Sequence, residues 1–126
     1  MKRILVVDDD HQMRTMTVKY LEKAGFEVVQ AENGFQGVEA FERNPVDLVV
    51  TDLIMPDKDG LEMIIEIKRQ SPELKIVAVS GGSRAVDPKD YLLYAAQAGV
   101  NKTLTKPFEP EELIDTINSL LEVTVN

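Results

Sequence analysis

Hydrophobic and polar positions along this chain alternate between two periods. Short apolar runs, Ile4-Leu5-Val6-Val7, Leu48-Val49-Val50 and Ile76-Val77-Ala78-Val79, are too short for helices and are bounded by charged or turn residues. Such runs read as strands buried on both faces. A mixed stretch, Glu27 to Ala31, reads as an edge strand, and Lys102 to Thr105 as a fifth strand. Between them lie segments of helical period. One covers about 12–24, with Met13, Met16, Thr17, Tyr20, Leu21 and Ala24 as its expected buried stripe. A second covers 34–43, with Phe35, Val38, Ala40 and Phe41. A third covers 60–70, with Leu61, Ile64, Ile65 and Lys68, and Ile67 flanking. A fourth covers about 88–98, and a fifth starts near Pro110 and uses Leu113, Ile114, Ile117, Leu120 and Leu121. Gly25 and Gly99 stand where helices end, Asn44-Pro45 stops the second, and Asp59 and Asp87 are placed as N-caps. Strand and helix alternate five times, which predicts one doubly wound, three-layer α/β domain over residues 1–126.

The strands end in polar groups. The first runs into Asp8-Asp9-Asp10, the third into Asp52, the fourth into Ser80-Gly81-Gly82 and the fifth into Lys106-Pro107-Phe108. Parallel strands joined by right-handed crossovers bring their carboxyl ends to one edge, where ligands collect in open α/β sheets. The four polar groups are therefore expected to meet. Each has a plainer reading alone: a solvated loop and cap, a turn, a surface lysine. Coincidence at all four ends is much harder to sustain. Pro107 holds Lys106 extended, and a cis bond there would fix the loop further.

Composition narrows the chemistry. Hydrophobic residues make up 44% and charged residues 29% of 126 residues, which suits one globular core. No run approaches the roughly 20 apolar residues of a membrane span, and no targeting segment is recognisable, so the cytoplasm is the expected location. With no cysteine and one histidine, His11, thiolate sites, multi-histidine zinc sites and a Ser-His-Asp triad are disfavoured. His11 is expected to be exposed at the start of the first helix. A net charge of −8 disfavours direct binding to nucleic acid.

Asp8, Asp9 and Asp52 close together would repel one another unless a cation lay between them. A few carboxylates with room for water suit Mg²⁺ better than a full Ca²⁺ cage. Lys106 adds a positive centre, Ser80 a donor, and the Gly81 and Gly82 amides two more. Such a site is suited to phosphoryl transfer, where positioning and charge neutralisation do most of the work. It lacks a histidine base, so Asp52 itself is the candidate nucleophile, forming an acyl phosphate.

The set Val-Val-Asp8-Asp9, Asp52-Leu-Ile-Met-Pro-Asp-Lys-Asp-Gly60, Ser80-Gly81 and Lys106-Pro107-Phe108 resembles the receiver domain of two-component response regulators across essentially the whole chain. The resemblance implies a flavodoxin-like α/β/α sandwich with a five-stranded parallel sheet in the order 2-1-3-4-5. It implies that Asp52 accepts phosphate from a sensor histidine kinase or phosphotransfer protein. Mg²⁺ would be held by Asp8, Asp9, Asp52 and the backbone carbonyl of Ile54, with Asp9 binding directly and Asp8 through water. Ser80 would turn toward the phosphoryl group and Lys106 would pair with it. The readout would run through the face of the 88–98 helix, the fifth strand and the last helix, toward a downstream effector or phosphorelay. The protein would be a monomer or a weak, phosphorylation-linked dimer, catalysing only its own phosphorylation and dephosphorylation. Two departures stand out. Thr103 occupies the usual aromatic position on the fifth strand, and the 81–88 loop is longer than usual. A phosphatase of the haloacid-dehalogenase type also uses an aspartate nucleophile with Mg²⁺. That class wants a second Asp two residues on, where Ile54 stands, and a substrate cap for which no insertion is long enough. An inert interaction module of the same fold is the third reading.

Overall fold

The computed structural model describes residues 1–53, 60–80, 93 and 95–121. Its strands are β1 (Arg3–Val7), β2 (Glu27–Ala31), β3 (Leu48–Asp52), β4 (Lys75–Ser80) and β5 (Lys102–Thr105). Its helices are α1 (His11–Lys23), α2 (Gly34–Arg43), α3 (Gly60–Gln70), the helical residues 95–98, here α4, and α5 (Pro110–Leu121). The sheet has five strands in the order β2-β1-β3-β4-β5, and every pairing is parallel. This is the expected flavodoxin-like arrangement. The 81–88 loop, the start of the 88–98 helix and the proposed Asp59 and Asp87 caps lie outside the described residues.

The period-two pattern of the central strands sorts side chains onto two faces. Leu5 and Val7, Val49, Ile76 and Ala78 pack with Val38 of α2, with Met63, Ile64 and Ile67 of α3, and with Ala95. Ile4 and Val6, Leu48 and Val50, Val77 and Val79 pack with Val18 and Leu21 of α1 and with Leu113 and Ile117 of α5. Both faces are therefore covered, which is why these runs are continuously apolar.

The helices stand where expected, but three are rotated about their axes relative to the predicted stripes. On α1 the buried residues are Arg14, Thr17, Val18 and Leu21. Met16, expected in the core, is 46% exposed. On α3 the buried residues are Gly60, Met63, Ile64 and Ile67. Ile65, expected inside, is 48% exposed and Met63 takes its place. On α2, Phe35 is 60% exposed, while Gly34, Gly37 and Val38 face inward. A period of 3.6 admits neighbouring stripes, and close packing decides between them. At Gly37 an added Cβ would run into the Met63 sulfur, so α2 and α3 approach through a glycine and a flexible thioether.

Local chemistry sets the helix ends. The Asp10 carboxylate caps α1, accepting from the Gln12 and Met13 amides at 3.0 and 3.2 Å. Asn33 caps α2 through the Gln36 amide at 2.9 Å. Gly25 follows α1 with φ +97°, the left-handed conformation foreseen for it, and Gly99, foreseen only as the end of a helix, follows α4 in the same conformation with φ +100°. At Gly60 the need is steric: an added Cβ would overlap the Asp52 carbonyl oxygen, so only glycine lets α3 start against the end of β3.

The rotation of α3 is open to a direct check. Ile64→Ala should cost about 2–5 kcal/mol by cavity formation. The adjacent Ile65→Ala should cost less than about 1 kcal/mol. Urea unfolding of the two variants would measure both.

Candidate phosphoacceptor site

Sheet register levels the polar ends. Val7 pairs with Thr51, Asp52 with Val79, and Ser80 with Thr105. Asp8 and Lys106, one residue beyond β1 and β5, therefore reach the same edge as Asp52 and Ser80. The Lys106 ammonium stands between two carboxylates, 3.0 Å from Asp52 Oδ2 and 3.4 Å from Asp8 Oδ2. Asp8, Asp52 and Ser80 are buried, Lys106 is half-buried and Asp9 is exposed. One carboxylate oxygen from each of Asp8, Asp9 and Asp52 lies within 4.8 Å of the others.

Backbone bonds hold this arrangement. The Lys106 amide donates to the Ser80 carbonyl at 2.9 Å, tying the β5 exit to the end of β4. The Lys106–Pro107 bond is cis. The Asp8 carboxylate accepts from the Asp10 amide at 2.9 Å. The Thr51 hydroxyl, fully buried, donates to the Asp52 carbonyl at 2.8 Å. Beneath the cluster a void of about 10 Å³ is lined by Asp8, Thr17, Asp52, Lys106 and Phe108. That is room for one water at most.

Burial raises the Asp8 carboxyl above its ordinary range, and the Asp52 charge adds to the rise. The Asp10 amide and Lys106 oppose it. Burial alone would push Lys106 down, but Asp52 and Asp8 together outweigh it and hold the ammonium above its usual value. One lysine thus faces more negative charge than it neutralises. The donor set consists of oxygen atoms only, converging and anionic, which fits a hard divalent cation such as Mg²⁺.

Asp8, Asp9, Asp52, Ser80 and Lys106 are thus gathered at one edge, as the strand-end pattern foresaw. Ile54, Gly81 and Gly82 lie outside the described residues. Thr103 is exposed on β5, paired with Ala78. His11 opens α1 and is exposed, as expected. Arg14 was missed. Its guanidinium is buried and donates to the Asp8 carbonyl at 2.8 Å. The signal was present, because Arg14, Thr17, Val18 and Leu21 follow the i, i+3, i+4, i+7 spacing, but a charged first member disguised the stripe.

Comparison with known proteins agrees with this geometry. Residues 4–118 match the model of the response regulator receiver domain. The chain is 37% identical over 122 residues to the response regulator receiver protein CpdR of Brucella abortus, covering 96% of this chain and 98% of that protein. It is 39% identical over 120 residues to the chemotaxis protein CheY of Bacillus subtilis, covering 94% and 97%. The crystal structure of the response regulator TrrA of Thermotoga maritima, in complex with Mg²⁺-BeF, superposes with a TM-score of 0.84 at 34% identity over 96% of this chain and 100% of that one. The chain belongs to the response regulator receiver domain family. It is a CheY-like signalling switch of the two-component type, a class that binds Mg²⁺ at an acidic pocket and works with histidine kinases and downstream effectors. No helix among the described residues is long and apolar enough to cross a membrane.

The raised Asp8 carboxyl has a signed consequence for stability. Between its ordinary value of 3.8 and the raised folded value, the native state holds more protons than the unfolded chain. Stability conferred by the protonated carboxyl is therefore full below that interval and lost as pH rises through it. Asp8→Asn should remove the loss and stabilise the metal-free protein at neutral pH relative to the native chain. Urea unfolding from about pH 4 to about pH 8 without divalent ions would measure it.

Proposed function

We propose that residues 1–126 act as a receiver domain in which Asp52 is the phosphoacceptor. The phosphoryl group comes from a histidine of a sensor kinase or phosphotransfer protein. A bond forms between an Asp52 carboxylate oxygen and phosphorus as the phosphorus–nitrogen bond breaks, and the departing imidazole takes up a proton. The observation that carries this reading is the single ammonium of Lys106 shared by Asp52 and Asp8, at 3.0 and 3.4 Å. An aspartate already paired to a cation at the sheet edge is prepared to carry an anionic adduct.

Asp8, Asp9 and Asp52 are the residues that would hold Mg²⁺, with the Ile54 carbonyl as a fourth ligand; Asp9 would bind directly and Asp8 through water. When bound, the ion neutralises phosphate charge and orients its oxygens. Lys106 follows the new dianion, exchanging part of its pairing with Asp52 for a phosphate oxygen. The Ser80 hydroxyl, on the last residue of β4, donates to another oxygen. Movement of Ser80 pulls on the segment that follows it, and so biases the face built from the 88–98 helix, β5 and α5 toward its effector. With Thr103 at the usual aromatic position, that message travels through the loop after Ser80 rather than through a ring on β5. That TrrA, similar over the whole domain, was solved in complex with Mg²⁺-BeF supports a Mg²⁺-dependent reading of this chain. Autocatalytic phosphorylation and dephosphorylation are the only chemistry assigned. A phosphatase acting on many esters is disfavoured because Asp52 is followed by Leu53-Ile54, so the second aspartate of an Asp-x-Asp nucleophile motif is replaced by Ile54.

Incubation with Mg²⁺ and acetyl phosphate, followed by intact mass, tests the assignment. One phosphoryl group should add to the native protein and none to Asp52→Asn. Lys106→Met should slow labelling by about 10²-fold. Multiple turnover of phosphate esters would sink the switch reading in favour of an enzyme, and an unlabelled native protein would favour an inert module.

A further inference from the structure

Arg14 sits in the first turns of α1 with 9% of its surface exposed. Its guanidinium makes three contacts: Nη1 donates to the Asp8 carbonyl at 2.8 Å, Nε to Gln30 Oε1 at 3.3 Å, and Nη2 meets His11 Nδ1 at 3.0 Å. None of these partners is a carboxylate. Placing a guanidinium out of water with no carboxylate among these partners is costly unless each donor has a well-aimed partner. The arrangement suits a fork that grips a particular carbonyl better than it suits a charge seeking a counter-ion.

That carbonyl has leverage. The Asp8 oxygen and the Asp9 amide belong to one rigid peptide plane. Fixing the oxygen fixes the plane from which the Asp9 side chain departs. Asp8 is already held on its other side, its amide donating to the Ala31 carbonyl at 3.1 Å and its carboxylate accepting from Asp10. The Arg14 amide donates to the Asp10 carbonyl at 2.9 Å. Arg14 thus binds Asp10 through its backbone and Asp8 through its side chain, and closes a loop around Asp9. The Asp9 carboxylate itself is exposed.

We infer that Arg14 is a positioning residue for the cation site: its fork holds the Asp8–Asp9 peptide so that both carboxylates aim at one point. This rests on reading Asp8 and Asp9 as cation ligands. Lysine would keep the charge and lose the planar fork, so charge and geometry can be separated. Gln30, on β2 and remote from the carboxylates in sequence, supports only one arm of the guanidinium.

The test is a calorimetric titration of the metal-free protein with Mg²⁺, alongside amide spectra and thermal melts. Native protein should bind, and Asp9→Asn should lose most of that affinity. Arg14→Lys and Arg14→Met should bind about 10-fold more weakly, in the range seen when the residues orienting metal ligands are removed. The Asp9 amide resonance should shift in both variants before any metal is added. Gln30→Ala should lose affinity by about 2- to 3-fold, a small part of the effect of removing the whole fork. A purely structural Arg14 would lower the melting temperature while leaving the affinity of the folded protein unchanged. If Arg14→Met does not fold, Arg14→Lys decides. A folded Arg14→Lys that binds Mg²⁺ like native protein overturns the inference while the cation site stands. A native protein that binds no better than Asp9→Asn overturns both.

Discussion

Lys106 offers one positive charge to Asp8 and Asp52, with Asp9 near enough to make a third carboxylate. The rest of the molecule is arranged so that this imbalance persists. Three carboxylates spread over a surface would separate and hydrate. Here two of them are fixed at the ends of adjacent central strands, and burial denies Asp8 the water that would stabilise its charge. Removing the lysine would take from two buried carboxylates the cation they share, and breaking buried pairs of this kind costs about 3–5 kcal/mol. Keeping it leaves a residual negative charge on a cluster of converging carboxylate oxygens, an arrangement that suits a hard cation.

The sheet makes the cluster possible because its register brings the carboxyl ends of strands distant in sequence to one level. Asp8 and Lys106 lie at nearly opposite ends of the chain, yet each is one residue past a strand of the same parallel ladder. Glycine at position 60 serves the same purpose from the other direction, letting α3 begin against the Asp52 carbonyl. Thr51, fully buried, satisfies that carbonyl with its hydroxyl. Arg14 does the corresponding work for Asp8. In each case the backbone carbonyl of a clustered aspartate is held by a neighbouring side chain.

The alternation of strands and helices could be read directly, because runs such as Ile4–Val7 and Ile76–Val79 are too apolar and too short for anything but buried parallel strands. Element positions followed from caps and breakers: Asn44-Pro45, Gly25 and Gly99 act locally and need no tertiary partner. Helix rotation did not follow. Met16, Ile65 and Phe35 fit an apolar stripe as well as their neighbours do, and hydrophobicity by itself cannot rank adjacent stripes 100° apart. Packing ranked them: Met63 fits against the bare Gly37, and α1 turns inward a stripe whose first member is an arginine.

Residue order alone therefore determined the class of fold and that Asp8, Asp9, Asp52, Ser80 and Lys106 would meet at one sheet edge. These depend on residue type at strand ends, and parallel topology converts position in a strand into position in space. Only the tertiary structure decided that one ammonium serves two carboxylates, which helix faces are buried, and that a buried guanidinium grips the Asp8 carbonyl. Those depend on distances between side chains from separate elements, and such distances are set by close packing, which no periodicity in a single strand or helix encodes.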